Sequence, residues 1–136
     1  MSDALTEFLR ARIAEDDRAA MAASSMLPWV QGEDPEGSPT FVIQGEYGSL
    51  AIECPAAADA VHIARHTPSR VLAEVQAKRR VLARHVLSPA NGETETPWDN
   101  VDDCQYDGDN WPCPDLLDIA LPYADHAEYR DEWRVT

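Results

Sequence analysis

Between Arg84 and Arg130 the chain carries no lysine or arginine, and this base-free gap constrains its folding more than any other feature. Residues 87–136 hold 13 acidic and 2 basic side chains, a net of −11, whereas residues 1–86 hold 12 and 9, a net of −3. A segment so one-sided repels itself and resists compaction unless a cation or a basic partner offsets it. The same charge argues against direct binding to nucleic acid or to an anionic membrane, because no phosphate counterions are released. At 136 residues the chain is expected to form a single domain over 1–136.

Processing signals are not apparent. The start, Met-Ser-Asp-Ala-Leu, lacks a basic stretch followed by an apolar run. No apolar run approaches the ~20 residues that span a bilayer. Three cysteines, Cys54, Cys104 and Cys113, fit a disulfide framework poorly. A cytoplasmic protein is expected.

Apolar spacing predicts a first helix from Ser2 to about Ser24, with Ser2 as its cap and Leu5, Phe8, Leu9 and Ile13 on one face. Residues 31–39 read as a polar, turn-rich loop. Thr40–Ile43 and Ser49–Cys54, β-branched and aromatic around a Gly-containing loop, predict a small hairpin whose face rests on helices. A second helix is expected over Ala56–His66. A third follows with Thr67 as cap and Pro68 at its first position, running to about Val86 with Val71, Leu72, Val75, Leu82 and Val86 buried. Residues 88–112 form an irregular acidic loop, of a length that is usually functional, disordered or pinned. A short helix begins near Pro114, and Asp125–Trp133 adds a last turn or two. The fold class is therefore α+β or mostly α, with four to five helices and a small β-hairpin in one compact domain.

Three stretches taken together resemble a known family. Phe8-Leu9-Arg10-Ala11-Arg12 precedes Pro28-Trp29. His62-Ile63-Ala64-Arg65-His66 precedes Pro68, Arg70-Val71-Leu72, Glu74-Val75 and Ala77-Lys78-Arg79-Arg80. Ala120-Leu121-Pro122-Tyr123-Ala124-Asp125-His126 then leads to Tyr129-Arg130 and Glu132-Trp133-Arg134. This is similar to a family of small uncharacterised proteins of actinobacteria and their phages, a domain of unknown function. Thr67 and Ala127 depart from its usual Asp and Pro. The resemblance implies an intracellular actinobacterial or phage protein and implies no activity.

Metal chemistry is the first candidate. His85, Cys104, Cys113 and His126 are zinc-ligand types spaced H-x18-C-x8-C-x12-H, although no C-x2-C pair occurs. Zinc there would neutralise thiolates and pin the 88–112 loop. His62 and His66, four apart on one helix, are alternative ligands; as ordinary polar or capping residues they need no metal, and the cysteines need none as buried thiols.

Catalysis finds little support. His62-Ile63-Ala64-Arg65-His66 has the outer residues of H-E-x-x-H, but Ile63 occupies the place of the general-base Glu. No G-x-S-x-G, phosphate-binding loop or dinucleotide glycine pattern is present, and no catalytic residue is assigned.

The third candidate is a binding surface. Seven carboxylates from Glu93 to Asp109 interleave with Trp98, Tyr106 and Trp111, a mixture suited to a protein with a basic surface. Trp98, Asp102, Asp103, Asp107 and Trp111 are its contact candidates; a merely solvated acidic loop is the plainer alternative. The basic stripe from Arg65 to Arg84 is expected to meet the acidic part of the same chain. The tail aromatics Tyr123, Tyr129 and Trp133 are expected to dock the terminus onto the core. A non-enzymatic accessory protein that binds a macromolecular partner is thus expected, with a zinc-binding protein, structural before catalytic, as the alternative.

Overall fold

Asp3 opens the first helix. Its Oδ2 accepts from the Thr6 N–H at 3.0 Å and from the Thr6 hydroxyl at 3.1 Å, so Asp3 is the cap in place of the expected Ser2. The computed structural model describes residues 3–23, 29–33, 39–45, 48–87 and 103–136. Four helices, α1 (Ala4–Ala23), α2 (Ala57–Arg65), α3 (Pro68–Arg84) and α4 (Pro114–Ala120), hold most of the described regular structure. Strands β1 (Trp29–Glu33), β2 (Pro39–Gly45) and β3 (Gly48–Glu53) lie between α1 and α2, and short 3-10 turns cover Leu121–Tyr123 and Asp131–Trp133.

The expected fold class is corrected here. In place of a small hairpin there is a three-stranded antiparallel sheet in the order β1-β2-β3. Trp29 pairs with Ile43 and Glu33 with Pro39, while Thr40 pairs with Glu53 and Gly45 with Gly48. The stretch expected as loop from residue 31 thus begins as strand. Its polar composition hides it, because β-structure is set by the neighbouring strand more than by intrinsic preference. Two compact units are described separately, Met1–Glu15 with Val75–Thr136, and Asp16–Glu74.

In the second of these, α2 packs on β1 and β2. Cys54 and Ala60 are buried there, with Trp29, Ile63 and Ala64 packed against them. Asp59 steadies the start of α2 by accepting from the Ala56 N–H at 3.1 Å. Thr67 caps α3 as expected, accepting from the Arg70 N–H at 3.3 Å.

The other unit buries Leu5, Phe8, Leu9 and Ile13 of α1, Val75 and Leu82 of α3, Leu116 and Ala120 of α4, and Trp133 of the tail. The α1 positions recur at three- and four-residue spacing, as a single buried face requires. Helix α3 stops at Arg84, which leaves Val86 exposed and off its expected stripe. Phe8 is ringed by Tyr123, His126, Tyr129 and Trp133 at centroid distances of 5.1–6.3 Å. The tail aromatics therefore dock the terminus. Among the described residues no helix is long and apolar enough to cross a membrane.

Candidate metal centre

Beyond α3 the chain builds a tight turn whose backbone bonds converge on Cys104. The Gln105 N–H donates to the Val86 carbonyl at 2.9 Å, and Leu87 bridges Cys104 in antiparallel fashion. The Cys104 N–H donates to the Asp109 carbonyl at 2.8 Å, and the Gly108 N–H to the Cys104 carbonyl at 2.9 Å. Gly108 has φ 76°, the left-handed conformation that closes such a turn at little cost in glycine. The turn holds Asp107 as well, because the Asp109 N–H donates to its Oδ1 at 2.9 Å. Cys113 sits at the cap position of α4, where its carbonyl accepts from the N–H groups of Leu116 and Leu117. His85 follows α3 directly, its N–H still bonded to the Val81 carbonyl.

These segments bring four ligand types together. His85 Nδ1 lies 3.5 Å from Cys104 Sγ, 3.3 Å from Cys113 Sγ and 3.2 Å from Asp107 Oδ2. All four ligand atoms lie within 4.8 Å of one another. His85, Cys104 and Cys113 are buried, while the Asp107 side chain is 23% exposed. One imidazole nitrogen has a single proton or a single lone pair, so it cannot serve three partners as hydrogen bonds. For a tetrahedral ion with bonds of about 2.0–2.3 Å, neighbouring ligand atoms stand roughly 3.3–3.8 Å apart. The three distances to Nδ1 match that spacing closely.

On the far side of the ring, His85 Nε2 lies 3.4 Å from Asp115 Oδ2. A carboxylate on the second nitrogen is the usual companion of a metal-binding histidine, fixing its tautomer and orientation. Tyr106 lies against the ring with centroids 4.7 Å apart, and Arg84 stands over Tyr106.

The electrostatics follow from crowding. Burial pushes the Cys113 thiol up to about 12; the Leu116 N–H pulls the other way, and Cys104 and Asp107 add to the rise. Burial also disfavours charge on Asp107. Hydrogen bonds from Asp109, Cys104 and Cys113, with the nearby His85, outweigh it and hold the carboxyl below its ordinary range. The metal-free cluster therefore keeps a protonated thiol beside a carboxylate.

Of the ligands expected from sequence, His85, Cys104 and Cys113 come together and His126 does not. His126 Nδ1 accepts from Arg12 Nη1 at 2.9 Å and from the Glu128 N–H at 3.1 Å, with its ring against Phe8. That nitrogen is committed to docking the tail. The alternative pair His62 and His66 stack with ring centroids 4.3 Å apart, and His66 Nδ1 meets the His62 carbonyl at 2.8 Å. Neither belongs to the four-residue group, which is the one such group among the described residues.

Among the residues expected to contact a partner, Trp98 and Asp102 lie outside the described residues. Asp103 is buried and bridges Asn110, Asp107 faces His85, and Trp111 is half-buried. The ligand missing from the zinc set was therefore present among the surface candidates. Its signal was Cys104-Gln105-Tyr106-Asp107-Gly108, a two-residue ligand spacing with aspartate where a second cysteine is more usual. Asp115 carries no such signal.

A family of unknown function, DUF6221, matches residues 2–135 of the chain. No curated protein and no solved structure matches it.

Proposed function

The chain belongs to DUF6221, a family of unknown function, and we propose from its own geometry that it is a zinc-binding protein whose ion has a structural role. His85, Cys104, Asp107 and Cys113 would be the ligands. The observation that carries this reading is the convergence of four ligand atoms within 4.8 Å, three of them 3.2–3.5 Å from His85 Nδ1, a spacing that a shared cation accounts for. Two sulfurs, one imidazole and one carboxylate suit zinc better than calcium or magnesium, which take oxygen. Four protein ligands fill a tetrahedral shell and leave no position for substrate, which favours a structural over a catalytic ion.

The ion would tie the end of α3, the turn at 104–108 and the start of α4 into one body. It would also cross-link the segment that lacks lysine and arginine, by bonds rather than by added charge, since it displaces the thiol protons. A reducing, cytoplasmic setting belongs to this proposal, since it keeps thiols available for zinc; Cys54, Cys104 and Cys113 are all unbridged. The acidic partner surface is not needed for it, because Asp103 and Asp107 are taken up by the turn.

Elemental analysis of the purified full chain tests the proposal. About one zinc per chain is expected, falling below about 0.2 in Cys104→Ser and Cys113→Ser. Wild-type protein that holds less than about 0.2 zinc and is indifferent to zinc addition would overturn it.

A further inference from the structure

Helix α2 ends on two exposed histidines that the candidate metal centre does not use. His62 and His66 stand four residues apart, the separation at which side chains meet on one helix face. Their rings do meet, with centroids 4.3 Å apart and planes tilted by 36°. His66 Nδ1 donates to the His62 carbonyl at 2.8 Å; a carbonyl oxygen only accepts, so Nδ1 carries the proton. In the neutral ring the lone pair therefore lies on Nε2. A backbone carbonyl on the other nitrogen is how metal-binding histidines are commonly fixed. The His62 side chain makes no hydrogen bond or ion pair among the described residues.

We propose that His62 and His66 form a second, open metal site that chelates a late divalent transition ion, nickel(II) or copper(II), through their two Nε2 atoms. Two nitrogens bound to one ion at about 2.1 Å stand roughly 3 Å apart, within reach of rings already in contact. Imidazole without thiolate suits this part of the transition series, where affinity rises from nickel to copper. The pair occupies the last turn and the C-cap of α2, where the partial negative charge of the helix end favours a cation. Asp59 adds a carboxylate three residues before His62 on the same face. Arg70, which donates to the Arg65 carbonyl at the helix end, has its charge paired with Glu74 at 3.0 Å. Arg65 is exposed, so solvent and salt screen it. Two protein ligands leave the other coordination positions to water, so this ion exchanges readily, unlike one held by four ligands. The inference does not depend on the zinc proposal, because the two sites share no ligand.

The test titrates nickel(II) chloride into the untagged full chain and follows the imidazole C–H resonances of His62 and His66. Each is assigned by its absence in His62→Gln or His66→Gln. Saturable broadening of both signals on one common titration curve is expected, with His126 unmoved; nickel entering the buried centre reads out separately at His85. Either single variant is expected to bind at least about tenfold more weakly, because the second ligand no longer acts within the same molecule. Val61→His combined with His66→Gln keeps the number of histidines but makes them adjacent, where they do not face each other. Val61 is exposed, and this double variant is expected not to restore binding. Broadening that does not saturate, that follows two unrelated curves, or that persists unchanged in a single variant overturns the proposal. So does full affinity in the double variant.

Discussion

His85 Nδ1 is where the chemistry of this chain concentrates, and the residues around it behave as a unit. Asp115 touches no sulfur, yet its carboxylate lies 3.4 Å from Nε2 and orients the ring. Loss of such a supporting carboxylate commonly weakens metal affinity by roughly 10–100-fold. Asp115→Asn is expected to do so in competition against a chromogenic chelator; because Asp115 is 61% exposed, the variant should keep its fold. An unchanged affinity would remove Asp115 from the site. The pH dependence of the metal-free state has a definite sign. The Cys113 thiol, ordinarily near 9.0, is pushed up to about 12 when folded. Between those values the unfolded chain has lost a proton that the folded chain keeps, so stability is full below pH 9 and declines towards pH 12. Zinc-loaded protein should show the reverse trend at lower pH, where protons compete for its ligands. Denaturant unfolding of chelated protein is expected to lose stability above pH 9, with part of that slope absent in Cys113→Ser. An identical slope in the variant contradicts the assignment.

At the scale of elements, α1 and the tail depend on each other through Phe8 and Arg12. Arg12 is buried, donates to His126 Nδ1 and Glu128 through Nη1 and to Glu15 through Nη2, and stands over the Phe8 ring. Trp133 packs on Phe8, and Tyr129 donates to the Trp133 carbonyl at 3.0 Å. Trp133→Ala is expected to cost about 3 kcal/mol in denaturant unfolding, the lower end for a buried aromatic because the site is near a terminus. A change under about 0.5 kcal/mol would mean that the tail is not part of the core. Apolar spacing and capping chemistry made α1, α2, α3 and α4 legible in the sequence within a few residues. Strand β1 was not, because Gln31, Gly32 and Glu33 have no strand preference of their own and owe their conformation to pairing with β2. In the site, His85, Cys104 and Cys113 were recognisable as ligand types, but His126 was no less so. Only the fold, which spends its Nδ1 on Arg12, separates them. Asp107 and Asp115 were two carboxylates among many, and acidic residues in an acidic segment advertise nothing until the chain path is known.

For the molecule as a whole, the base-free stretch from residue 85 to 129 is the folding problem, and a metal cross-link within it is the proposed answer. Arg12–Glu128 brings one base from α1 to the acidic tail, while Arg70–Glu74, Arg130–Glu132 and Arg134–Asp131 are exposed and local, each worth at most about 1 kcal/mol. They do little to offset a net of −11 in the last 50 residues. Zinc at the His85 cluster acts where the acidic segment folds back on α3 and α4. The most direct test is the thermal unfolding of the full chain with zinc bound, after chelation, and after zinc is restored. A hundredfold excess of ion over its dissociation constant stabilises by about 2.7 kcal/mol, and a domain of this size gains roughly 3 °C per kcal/mol. A fall of at least about 8 °C on chelation, reversed by zinc, is expected. An unfolding temperature that does not move when the metal is removed would contradict it.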